Sequence, residues 1–142
     1  MKYAGLFLIS LLLFGNCNTI NAVNSNDTKA VAQSELEGTY AVTSLYGNDV
    51  SEYKLTLIFN PTTKTLSGFS GCNSYSCNYN IEENSLTTSF PIGTKIYCEK
   101  TSTIEKDFFK IFSEEKNSKL DGNILHLINQ NDQKIIVAKK IL

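Results

Sequence analysis

Four cysteines and one histidine are the side chains of this 142-residue sequence with the most chemistry to offer. Three thiolates and an imidazole, from Cys72, Cys77, Cys98 and His126, would suit zinc or copper(I). Their spacing fits no common metal motif. A Cys77–His126 nucleophile–base pair would need an orienting third group and a nucleophile elbow, and the sequence provides neither. His126 sits between Leu125 and Leu127 in a strand-like run, so it points away from them, as a surface or rim residue does. The carboxylates are scattered: Glu82-Glu83 reads as a turn and Glu114-Glu115 as a solvated helix end. There is no phosphate loop, dinucleotide fingerprint or zincin helix. No cofactor is expected and no catalytic set is nominated.

Cys17 belongs to a different chemistry. Lys2 supplies a short positive segment, residues 4–14 are an apolar run of signal-peptide length, and Gly15-Asn16-Cys17 looks like a lipobox. The run falls short of the about 20 apolar residues that a spanning helix needs. The expectation is cleavage before Cys17 and lipidation of its thiol. Loss of Lys2 then moves the formal net charge from −1 to −2. Ordinary secretion, with cleavage near Asn21-Ala22, is the rival. Residues 18–34 lack apolar periodicity and read as a flexible tether with a reach of roughly 20–25 Å.

An exported chain meets an oxidising compartment. Lipidation of Cys17 leaves three thiols, so at most one bridge forms and one stays free. A Cys72–Cys98 bridge would join a local corner to the strand leading into the helix, and closing that loop is worth roughly 3–3.5 kcal/mol. Cys72–Cys77, on one local turn, is the rival pairing.

The corner is the stretch from Ser67 to Tyr79. Gly68 and Gly71 are spaced like positions where a side chain would clash or φ must be positive. Asn73 tolerates the left-handed region, so Gly71-Cys72-Asn73 reads as a sharp bend carrying a sulfur. Tyr75, Tyr79 and Tyr97 are candidates for an aromatic patch near it, against the commoner outcome that such rings are core.

Gly68-Phe69-Ser70-Gly71-Cys72-Asn73-Ser74-Tyr75 resembles the signature of the META-domain family, the HslJ-like heat-shock lipoproteins of bacterial envelopes. Thr94-Lys95-Ile96-Tyr97-Cys98 is similar to that family's Thr-Arg-Met-x-Cys run. Glu105 and Phe108 fall where the family places a Glu and an apolar residue, and Leu120-Asp121-Gly122 with Leu125 and Leu127 is a third echo. The resemblance runs from Gly38 to the C-terminus. It departs from the pattern at Tyr40, where the family usually has Trp, and at Cys77, where it usually has Gly. The positions it marks are Gly68, Gly71, Cys72, Asn73, Thr94, Cys98 and Glu105. It implies a compact β-rich fold, a role in envelope stress or drug tolerance, and no catalytic residues.

The elements that must position these residues follow from periodicity. Strands are expected over 38–46, 53–59, 65–69, 75–81 and 85–90, with Leu55, Leu57 and Phe59 on one face. A hairpin over 119–127 turns at Asp121-Gly122, and a last strand covers 134–141. Ser102-Thr103-Ile104-Glu105 matches a capping box, and Ile104, Phe108, Ile111 and Phe112 form the apolar face of a helix from about Thr103 to Lys116.

The reading is α+β: an antiparallel, curved β-sheet or partly closed barrel of about eight short strands with one α-helix. Residues 1–16 are the lipoprotein signal peptide, 17–35 the tether and 36–142 the domain. Near-zero net charge and the lack of a basic stripe give no reason to expect nucleic acid. The expected protein is a non-enzymatic monomer held to the inner or outer membrane by its N-terminal lipid, facing the periplasm or the cell surface, with an envelope protein as possible partner. The alternative is a thiol-based metal-binding or redox protein using Cys72, Cys77, Cys98 and His126.

Overall fold

The computed structural model describes residues 29–30 and 36–141. The expected signal peptide, Cys17 and most of the expected tether lie outside the described residues. Within them, no helix is long and apolar enough to cross a membrane.

The strands are β1 (Lys29–Ala30), β2 (Gly38–Leu45), β3 (Asn48–Asp49), β4 (Thr56–Asn60), β5 (Thr65–Phe69), β6 (Ser74–Glu82), β7 (Ser85–Thr88), β8 (Ile92–Gly93), β9 (Lys116–Asp121), β10 (Ile124–Asn129) and β11 (Lys134–Ile141), with one helix, α1 (Ser102–Lys110), before β9. Antiparallel neighbours run β9-β10-β11-β2-β4-β5-β6-β7, and β7 returns to β9 through Ser85 opposite Asn117 and Leu86 opposite Lys116. Eight strands thus close into a barrel, which leaves no long edge open to stray pairing.

Period-two burial explains why these segments are strands. In β6, Tyr75, Cys77, Tyr79 and Ile81 point inward while Ser74, Ser76, Asn78 and Glu82 face water. Leu57 and Phe59 do the same from β4, and Leu125 and Leu127 from β10. The β4–β5 turn is held by the Asn60 side chain, whose Oδ1 accepts from the Thr62 and Thr63 amides, each at 3.1 Å. Tyr40, Phe59 and Tyr79 stack edge to face around one end of the barrel. Tyr75, Phe108 and Phe112 do so at the other end, beneath α1.

Several expected boundaries move. The strand expected over 53–59 begins at Thr56, behind a 3₁₀ turn at Ser51–Tyr53. The strand expected to run to Phe90 stops at Thr88. The helix is shorter than the span from Thr103 to Lys116. It gives way to a 3₁₀ turn at Ile111–Ser113, Glu114 is extended, and Lys116 already belongs to β9. A helix continued to Lys116 would leave β9 too short to pair with β7. The apolar face nonetheless docks as expected, with Phe108, Ile111 and Phe112 buried and Ile104 packed against the core.

Candidate functional site

The corner between β5 and β6 is built by two small polar residues. Ser70 N donates to Asn73 O at 2.8 Å, and Asn73 N donates to Ser70 Oγ at 3.1 Å, so Ser70 to Asn73 form a closed turn. Gly71 takes φ +94°, and a Cβ there would stand 3.2 Å from Leu55. A Cβ on Gly68 would lie 2.1 Å from the Thr56 carbonyl oxygen. Tyr75 donates to that same carbonyl at 2.8 Å. The absence of side chains at Gly68 and Gly71 therefore sets how closely the corner approaches β4.

Asn73 is buried and projects into the space between the corner, the loop after β8 and the first turn of α1. Its Oδ1 accepts from Thr94 Oγ1 at 2.7 Å and from Ile96 N at 2.8 Å. Its Nδ2 donates to Ile96 O at 2.9 Å and to the Glu105 carboxylate at 2.9 and 3.1 Å. All four bonding positions of the amide are occupied. Its orientation is unambiguous, because the carboxylate can only accept and the Ile96 N–H can only donate. Ser70, fully buried, places its hydroxyl against both Glu105 Oε1 and Asn73 O. Thr94 Oγ1 in turn accepts from Ser74 N at 3.2 Å.

Glu105 is therefore not a capping-box residue. The N-cap position is Thr101, which makes no side-chain cap bond, and Ser102 Oγ donates to Glu99 O instead. Turning back to cap the helix would take the carboxylate away from the buried Asn73 amide and leave one Nδ2 proton without an acceptor.

Cys72, within the corner, is bonded to Cys98, with Cα atoms 5.9 Å apart. Cys77 is free and buried on β6. Burial pushes its thiol up to about 11, with the Lys116 ammonium opposing. His126 lies on β10 opposite Val137 and Lys119. Burial and then Lys134 lower its pKa, and its Nδ1 has no partner. Among the described residues, no three His, Cys, Asp or Glu side chains are placed to hold a metal ion.

Two features had no counterpart in the sequence reading. Lys116 is buried, and its Nζ donates to Ile111 O at 2.9 Å and Glu114 O at 3.0 Å. It satisfies the carbonyls that the end of the helical segment leaves open. Burial lowers its pKa to about 8, with Cys77 and Glu114 acting the other way. The second feature is the loop after β7. Tyr97 does not form a patch with Tyr75 and Tyr79, which lie in the core, but stands in solvent near Phe90, Ile92 and Ile96 in sequence. Four exposed apolar residues within eight positions were the available signal.

A family model described as META domain matches residues 32–140. The fold is similar to an NMR structure of a protein from Burkholderia xenovorans, at 18% identity and TM-score 0.60, covering 82% of this chain and 96% of that one. A second NMR structure is similar at 20% identity and TM-score 0.62, covering 77% of this chain and 94% of the other. These two likenesses concern the fold. No curated protein matches the chain.

Proposed function

Because the chain belongs to the META-domain family, we propose that it is a non-enzymatic envelope lipoprotein whose single domain serves the envelope stress response or drug tolerance by binding or structural support. The observation that carries this reading is the saturation of the Asn73 cluster. Every donor and acceptor of the Asn73 amide is spent on bonds within the chain, to Thr94, Ile96 and Glu105. A group committed in this way ties segments together and has no free valence for a substrate. The cluster and the Cys72–Cys98 bond both fasten the loop after β8 to the corner. They support a module that presents a firm surface, held to a membrane through Cys17.

The test is a Cys17→Ser chain expressed in its own host. It should leave the washed membrane fraction for the soluble envelope fraction, and it should fail to restore growth of a deletion strain under heat or a membrane-active drug. Membrane association unchanged by the substitution would remove the lipid anchor from this reading. Full rescue by the unanchored chain would remove the need for anchoring.

A further inference from the structure

The loop joining β7 to α1 exposes what globular domains normally bury. Phe90 is 84% exposed, Ile92 81%, Ile96 61% and Tyr97 80%. This exposure is not slack chain. Pro91, between Phe90 and Ile92, is buried. Ile92 and Gly93 pair with Ser76 and Tyr75 of β6, Ile96 is held through both backbone groups by Asn73, and Cys98 is bonded to Cys72. The domain thus fixes four apolar side chains in water at the α1 end of the barrel. Lys95 and Lys100 lie in the same stretch, with Glu99 the one opposing charge.

We propose that this loop is a membrane-contact site: Phe90, Ile92, Ile96 and Tyr97 enter the interface of a phospholipid bilayer while Lys95 and Lys100 meet lipid phosphates. Interfacial binders combine aromatic and aliphatic tips with basic residues in this way. Prior ordering by the disulfide and the Asn73 bonds removes the entropy cost that a slack loop would meet on binding. A second copy of the chain fits less well. At ~150–250 Å² per large side chain, scaled by their exposure, the four tips offer roughly 450–750 Å², short of the about 800 Å² per partner of a standard interface.

The proposal draws on the lipid-anchor reading only for proximity. Strand β1 pairs with Leu120 and Lys119, near the end of β9 remote from α1, so β1 and the loop lie toward opposite ends of the barrel. A segment of roughly 12 residues, the number from Cys17 to Lys29, can span at most about 40 Å, against about 30 Å for the nine-residue strand β6, which is long enough for both contacts to meet one bilayer.

The chain has no tryptophan, so Tyr97→Trp in the full chain introduces a lone indole reporter. The probe is vesicles of phosphatidylcholine and phosphatidylglycerol carrying brominated acyl chains. The expected result is blue-shifted indole emission, quenched at least twofold, from the Tyr97→Trp chain. An indole placed instead by Ile141→Trp should be quenched little. Adding Phe90→Ser and Ile92→Ser to the Tyr97→Trp chain should abolish its quenching. In a Cys17→Ser background the quenching should persist at higher lipid and reverse on dilution, whatever becomes of the anchor. A Tyr97→Trp chain that floats with the vesicles while its indole stays unquenched would leave the anchor standing and overturn the loop contact. A blue shift that needs no lipid and grows with protein concentration would also overturn it, and would assign the loop to self-association.

Discussion

The Asn73 amide meets the Glu105 carboxylate at 2.9 Å across 32 residues of sequence, joining the β5–β6 corner to the first turn of α1. The same amide holds Ile96, so one buried side chain fastens three segments that the barrel strands alone leave unconnected. Asn73→Ala should leave the Ile96 backbone groups without their partners and the Glu105 carboxylate with Ser70 alone, at a cost of about 3–5 kcal/mol. Asn73→Asp keeps the shape but sets a second carboxylate against Glu105, and should be no better. Urea unfolding measures both, and a loss under about 1 kcal/mol for Asn73→Ala would show that the clamp contributes little.

Phe108 is fully buried between α1 and the barrel, edge to face with Tyr75 and Phe112. Phe108→Ala should cost roughly 3–5 kcal/mol. A melting temperature within a degree or two of the parent would mean that the helix does not seal the barrel end.

Removing the Cys72–Cys98 bond by a double serine substitution should cost roughly 2–5 kcal/mol. Cys77→Ala deletes one small buried group and should cost less. Non-reducing peptide mapping should find residues 72 and 98 in one linked pair, and any peptide linked through Cys77 contradicts the assignment.

Lys116 makes a signed pH prediction. Burial takes its pKa from 10.5 to about 8, so between those values the unfolded chain binds more protons than the folded one. Stability therefore rises with pH across that window. Cys77 works in the opposite direction from 9.0 to about 11, where the unfolded thiol ionises first. In a Cys77→Ala background the gain from pH 8 to 9 should be about 1 kcal/mol, and it should vanish when Lys116→Met is added. A flat profile in the Cys77→Ala chain would show that Lys116 is not held in this way.

The barrel was legible wherever burial has period two. The β4 residues Leu57 and Phe59, the inward row of β6, and the Asp121-Gly122 turn follow from local alternation and turn chemistry. The helix's docking face was legible for the same kind of reason, but its end was not. Lys116 looks like one more solvent-facing helix residue until β9 exists to point it inward. Glu105 was misplaced by a similar rule: a capping box is a local pattern, and it lost to a buried amide 32 residues away.

By itself the sequence determined the period of each element and the glycines without which the corner could not approach β4, because these depend on neighbours a few residues apart. The Cys72–Cys98 pairing expected from the sequence is the one that forms, but where Glu105 turns, which lysine is buried and which aromatics stand in water were decided only by the tertiary structure. They depend on long-range pairing: barrel closure brings Leu86 opposite Lys116, and the pairing of β8 with β6 returns the loop that leads to Glu105 and carries the exposed aromatics. Those contacts repay their loop-closure entropy only once the whole sheet has formed.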